Sequence, residues 1–230
     1  PTQWDVHLPW VGAAPTSVTQ WLPLLWKVAP ALPALPQAAK PAAPTATSKS
    51  LNIPKGFVTA RGPQLILDGK PYYFLGVNAS YLMLPYFLER EIEPVLAYLA
   101  GTGGVNVVRF WIEPGQSLDR LERILDLGRK YHLRFVIALQ NYHYYKDQNW
   151  FARHYKDKDL PHVRAVVSRF RDRPEVLMWE LMNEPSCGPE NGSQVCCDHM
   201  YRWAQEVSAL IKQLDPHHLV SIGTTLRGWT

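Results

Sequence analysis

The sequence predicts an α/β fold, and within that class a (β/α)8 TIM barrel that has run through about five βα units when it reaches Thr230. Three observations carry that reading. Short runs rich in β-branched and aromatic residues alternate with stretches of helical periodicity, the mark of a parallel sheet covered on both faces. Polar and aromatic residues crowd the C-terminal ends of those runs, at Asn78, Trp111, Asn141 to Tyr145, Asn183 and Glu184, where a barrel concentrates its chemistry. No glycine-rich phosphate loop follows the first run, since GVNAS over 76–80 lacks the required glycines, and this speaks against an open nucleotide-binding sheet.

Residues 1–50 are a different material from 51–230. They hold 9 of the 20 prolines, 10 alanines and only four charged residues, Asp5, Lys27, Lys40 and Lys49. Such a stretch has few large side chains to bury and favours extended conformations, so it reads as a linker, a disordered segment or a targeting remnant. Its apolar part, 19–39, is interrupted by Pro23, Pro30, Pro33 and Pro36 and is too short and broken for a membrane-spanning helix.

From residue 57 the pattern changes. Segments 57–62 and 64–76 are β-type, with Asp68-Gly69 as a hairpin turn. Five apolar runs follow, at 73–78, 105–112, 134–140, 176–183 and 219–223. Between them, Leu118, Leu121 and Leu125 recur at helical spacing. So do Val163, Val166, Val167 and Phe170, and then Met200, Trp203, Ala204, Val207, Ile211 and Leu214. Asp159 before Pro161 reads as a helix start and Asp215-Pro216 as a helix stop. Gly101, Gly103 and Gly104 read as a helix stop as well. Strand starts average about 36 residues apart, so three further units would need on the order of 100 more residues. A five-unit piece would expose an open sheet edge, which predicts self-association.

The composition excludes some classes of function. A net charge of +4, with Lys and Arg interspersed among Asp and Glu, gives no basic face for nucleic acid. The densest basic cluster, Arg169 to Arg173, contains Asp172 and reads as a solvated helix end. With 3 cysteines the chain is no disulfide miniprotein, and no His stands at metal-ligand spacing beside them. No cofactor or metal is called for.

The chemistry is carried by WELMNEPSC over 179–187. Strand alternation predicts that Glu180, Met182 and Glu184 share a face. A carboxylate within an apolar strand is costly to bury unless paired, and Arg109 on the second run is its natural partner. Glu184 stands where the strand ends, after Asn183 and before Pro185, on a rigid element at the barrel mouth, as proton transfer requires. Asn183 is placed to hydrogen-bond a substrate hydroxyl from the same rim.

With ILDGKPYYFLGVNA over 66–79, VVRFWI over 107–112, the block 162–185 that ends in WELMNEP, and DPHHLVSIG over 215–223, the chain from about 57 to 226 resembles the N-terminal part of glycoside hydrolase family 5. Its endo-β-1,4-mannanases are the nearest likeness, with β-glucanases of the same family behind. The resemblance implies a secreted hydrolase that cleaves β-1,4-linked polysaccharide by retaining double displacement. It makes Glu184 the general acid/base, Asn183 a hydroxyl-binding neighbour and Arg109 the electrostatic partner of the catalytic carboxylates. It places the nucleophile at the end of a seventh strand, beyond residue 230. Glu113, after the second run, does not match that position. The third-strand end, LQNYHYYKDQNW over 139–150, departs from the mannanase pattern.

Weaker signals complete the list. His143 among Tyr142, Tyr144 and Tyr145, together with Trp111 and Asn78, occupies rim positions suited to substrate contact. His217-His218 precede the fifth run, on the face of a barrel that serves stability. Cys187 can bridge to Cys196 or Cys197 across the loop after Glu184, leaving one thiol. Asn78-Ala79-Ser80 and Asn191-Gly192-Ser193 match the N-glycosylation pattern. The rival reading is a non-catalytic barrel piece that binds polysaccharide or a partner protein.

Overall fold

The computed structural model describes residues 53–141, 150–186 and 194–223. It begins with an antiparallel meander, β1 (Val58–Arg61), β2 (Gln64–Leu67) and β3 (Lys70–Pro71). Asp68 and Gly69 join β2 to β3 with φ of 49° and 81°, the paired left-handed conformation that a two-residue hairpin demands. The β-type segment predicted over 64–76 is therefore split in three by this turn and by the break before β4.

Five parallel strands follow, β4 (Leu75–Asn78), β5 (Val105–Trp111), β6 (Arg134–Ala138), β7 (Val176–Glu180) and β8 (Leu219–Ser221), hydrogen-bonded in that order. Each lies within its predicted run. The intervening helices are α1 (Glu89–Gly101), α2 (Leu118–Tyr131), α3 (Tyr155–Phe170) and α4 (Gln194–Leu214). Sequential order with helical crossovers throughout is the arrangement of consecutive units of a (β/α)8 barrel.

Alternation sends Val108, Phe110, Phe135, Ile137 and Trp179 to the helix-covered face, where all five are fully buried. Each such side chain contributes roughly 1.5–3 kcal/mol by leaving water. The opposite face holds a smaller core of Val107, Val136 and Leu177, against which the meander packs Val58. Ser117 caps α2 by accepting from the Arg120 N–H at 3.2 Å. Gly128 lets α2 lie close on β6, since a Cβ there would stand 2.2 Å from the Phe135 ring.

One expectation is corrected. Asp159 does not start a helix: α3 begins at Tyr155, after a π-helical turn over Trp150–His154, and carries Pro161 in its interior. Pro161 removes one helical hydrogen bond, and this is offset by packing Trp150 and Phe151 on Trp203 with ring centroids 5.8 and 5.0 Å away. Asp159 is fully buried and accepts from Gln140 Nε2 at 2.7 Å. The 169–173 cluster closes α3 as a solvated end, with Arg169, Arg171 and Asp172 exposed, and its arginines add surface ion pairs to α2. Arg169 bonds Asp119 and Glu122 of α2 at 2.5 and 2.6 Å, and Arg173 bonds Asp126 and Glu175 at 2.7 and 2.8 Å.

Candidate active site

Strand register assembles the site. Asn78 on β4 lies beside Arg109 on β5, and Trp111 lies level with Ala138 and, beyond it, Glu180 on β7. Arg109 reaches across the sheet. Its Nε donates to both Glu180 oxygens at 3.1 and 3.2 Å, and Nη2 donates to Glu180 Oε1 as well. Nη2 also donates to Asn183 Oδ1 at 2.9 Å, and Nη1 to Asn78 Oδ1 at 3.2 Å. The guanidinium carbon stands 5.9 Å from the centre of the Trp111 ring. Glu180 is 6% exposed, so the pairing expected from its burial is present.

The expectation that Glu180, Met182 and Glu184 share a face is corrected. Strict alternation ends with β7 at Glu180. Leu181 and Met182 are both buried in the main core, and Asn183 rejoins the sheet as a single bridge to Asn141. Glu180 and Asn183, three residues apart, therefore converge on the same guanidinium. The backbone at Glu184 is left-handed, φ 52°, a conformation uncommon for a residue with a Cβ, and its N–H donates to the Gly223 carbonyl at 3.1 Å. Its side chain is half-buried.

Two residues of this cluster escape sequence reasoning. Gly223, at φ 83°, packs so closely that a Cβ would stand 2.1 Å from the Met182 carbonyl oxygen and 2.6 Å from the Glu180 carboxyl carbon. Its only sequence signal is a glycine at the end of the fifth run. Glu113, set aside as no match for the second carboxylate, lies half-buried just past β5 at the same rim. Burial pushes its carboxyl above the ordinary range, and the Asn141 amide only partly opposes this. The signal for it was the EPGQ turn, which fixes the carboxylate just past β5.

Asn78, Arg109, Trp111 and Asn183 are thus brought into one cluster, with Glu184 adjoining Asn183. His143 lies outside the described residues, as do Cys187, the Asn191 sequon and the side chains of Cys196 and Cys197. Asn78, of the other sequon, is on β4 and hydrogen-bonded to Arg109. His218 is buried on Asp215 at the opposite end of the sheet. Among the described residues no group of His, Cys, Asp and Glu is placed to hold a metal ion, and no helix is long and apolar enough to cross a membrane.

Comparison with known proteins places this arrangement. Residues 89–230 match the family model described as cellulase, glycosyl hydrolase family 5. A probable mannan endo-1,4-beta-mannosidase F of Neosartorya fischeri is 30% identical over 217 residues, covering 76% of this chain and 46% of its own. A probable mannan endo-1,4-beta-mannosidase C of Aspergillus terreus is 27% identical over 229 residues, covering 75% and 56%. The chain spans about half the length of the curated relatives it matches. Among solved structures, an endo-1,4-beta-mannanase from Rhizomucor miehei superposes with a TM-score of 0.63 at 24% identity, over 73% of this chain and 60% of that one, which establishes the shared fold. With the match running over more than half of its length, the chain belongs to glycosyl hydrolase family 5.

Proposed function

We propose that the protein is a glycoside hydrolase acting on β-1,4-linked mannan by retaining double displacement, with Glu184 as general acid/base. One observation carries this reading. In a family 5 chain, Glu184 ends the β7 segment on a left-handed backbone beside Asn183, and Asn183 is locked by Arg109 and Asn141. A carboxyl anchored through its own backbone keeps its position whether it is protonating the leaving oxygen or activating water in the second step.

Asn183 keeps an amide face for a sugar hydroxyl, and Trp111 and Asn78 extend the polar and aromatic rim along β5 and β4. His143 would add an aromatic face from the loop after β6. The second carboxylate, needed about 5–5.5 Å from the first, is expected beyond residue 230. Mannan is preferred over glucan because the relatives named above are mannosidases, and secretion follows from a polymeric substrate too large to enter a cell. The first fifty residues then serve as a linker or targeting remnant.

The test is the release of reducing ends from β-mannan, with β-glucan alongside, by protein at its native length. Wild type releases them and Glu184→Gln does not, while still binding the polymer. Release from glucan alone would reassign the substrate. Retention on the polymer without any release would make the protein a binding module. Sedimentation of residues 1–230 alone tests the expected self-association, which a monodisperse monomer would contradict.

A further inference from the structure

Past the end of β7 the backbone changes the side to which it hydrogen-bonds. The Leu181 N–H donates toward β8, to the Ser221 carbonyl at 2.9 Å. Two residues on, a regular strand would repeat that direction. Instead the Asn183 N–H donates to the opposite side, to the Gln140 carbonyl at 2.8 Å. The Glu184 N–H then returns to the β8 side and donates to the Gly223 carbonyl at 3.1 Å, on a backbone of φ 52°. Gly223, two residues past the end of β8, thus accepts from the candidate acid/base itself.

That acceptor has to be a glycine. Gly223 stands at φ 83°, which a residue with a side chain enters only under strain. Space forbids a side chain as firmly. A Cβ there would stand 2.1 Å from the Met182 carbonyl oxygen, and 2.6 and 2.7 Å from two carbons of the Glu180 side chain. The first obstacle is backbone, and the second is a carboxylate held by Arg109, so neither can step aside cheaply. The chain after β8 comes close enough for its carbonyl to meet Glu184 because residue 223 has no Cβ.

We propose that Gly223 is a positioning residue for the glycosidase site: its missing side chain lets its carbonyl anchor the Glu184 backbone, and that anchor aims the Glu184 carboxyl at the departing oxygen. This rests on the hydrolase reading given above. Gly223 touches neither substrate nor reacting atoms. It acts through Glu184, whose proton passes to the glycosidic oxygen as that oxygen leaves the anomeric carbon.

The test compares Gly223→Ala with wild type, at native length, on two substrates. β-Mannan has a sugar leaving group that needs a proton. A dinitrophenyl β-mannobioside has a leaving group that departs with its electron pair as the phenolate and needs none. Gly223→Ala lowers kcat/KM on β-mannan about 100-fold, as a small misplacement of a reacting group does. On the aryl glycoside kcat/KM stays within about threefold of wild type, because proton donation has no part in the step it reports. A merely structural role would lower both alike. Hydrogen exchange supplies a second reading that needs no variant: in wild type the Glu184 amide exchanges about 100-fold or more slowly than in an open chain. Equal losses on the two substrates, wild-type kcat/KM on β-mannan in Gly223→Ala, or open-chain exchange at Glu184 would each overturn the inference. A wild type that cleaves neither substrate would defeat the hydrolase reading instead, and exchange at Glu184 would still decide whether its amide is anchored.

Discussion

The two ends of the parallel sheet treat buried carboxylates in opposite ways. At the N-terminal end, burial alone would raise Asp215, yet it is held at about 2 by His218, whose Nδ1 lies 2.5 Å away, and by the Trp179 indole N–H at 2.7 Å. Glu175 behaves likewise: burial opposes its charge, and Arg173 and Arg129 hold it below the ordinary range. At the C-terminal end the balance reverses. Burial pushes Asp159 up to about 7 although Gln140 and Trp203 favour its charged form, and it pushes Glu113 up as well. One end surrounds its carboxylates with cations and donors; at the other, Arg109 pairs Glu180 but Asp159 and Glu113 are left without a cation, beside a residue on strained backbone. Barrels place stability at the first end and chemistry at the second. Groups held away from their ordinary protonation belong where protons are moved.

The sharpest way to break that division is Glu184→Gln. If the C-terminal end does the chemistry, this change lowers kcat on β-mannan by roughly 10²–10⁴, while the melting temperature stays near wild type. A variant that retains wild-type turnover would remove Glu184 from the mechanism. Next in size is Arg109→Met. It strands Glu180 as a buried, unpaired carboxylate and should cost roughly 3–5 kcal/mol by denaturant unfolding. Adding Glu180→Leu should restore most of the stability and none of the hydrolysis, because an apolar pair packs as well as an ionic one but orients no Asn183. Recovery of both together would mean that the pair serves structure alone.

Asp159 sharpens the comparison through pH. Its carboxyl binds a proton more tightly folded, at about 7, than at its ordinary 3.8. Between those values the native state therefore carries more protons than the unfolded one, and stability falls as pH rises from about 4 to about 7. The full difference is on the order of 4 kcal/mol. Asp159→Asn should flatten that slope and raise the melting temperature at pH 8. An unchanged slope across pH 4 to 7 would show that Asp159 titrates normally in the folded protein.

Much of this architecture is legible in the sequence because it rests on local periodicity. All five strands lie inside runs that can be picked out by apolar content, and Asp68-Gly69 announces its own turn. The Arg109–Glu180 pair is legible for a different reason: a charge inside an apolar strand demands a partner, and one cation stood at the right depth. What resists reading depends on distant contacts. Pro161 looks like a helix start until Trp150 and Phe151, packed on Trp203 of another helix, extend α3 backwards past it. Alternation fails at Met182 because Asn183 pairs with Asn141, 42 residues away.

The smallest predicted effect probes the stable end. Trp179 is fully buried, and its indole N–H is one of the donors that keep Asp215 ionised. Trp179→Phe removes that donor and part of a fully buried ring that packs on His218, so the expected cost is about 1–3 kcal/mol. In a domain of this size that lowers the melting temperature by roughly 2–4 °C per kcal/mol. The sign of its pH dependence follows from Asp215. A carboxyl held at about 2 contributes stability that is fully present above its ordinary 3.8 and is lost as pH falls toward 2. With one donor gone, the folded value rises, so less of that stability remains and acid unfolding begins at higher pH. Hydrolysis of β-mannan should stay within about twofold of wild type, because Trp179 faces the helices while Glu180 faces the site. A Trp179→Phe variant that melts like wild type but turns over slowly would place the functional division elsewhere than between the two ends of the sheet.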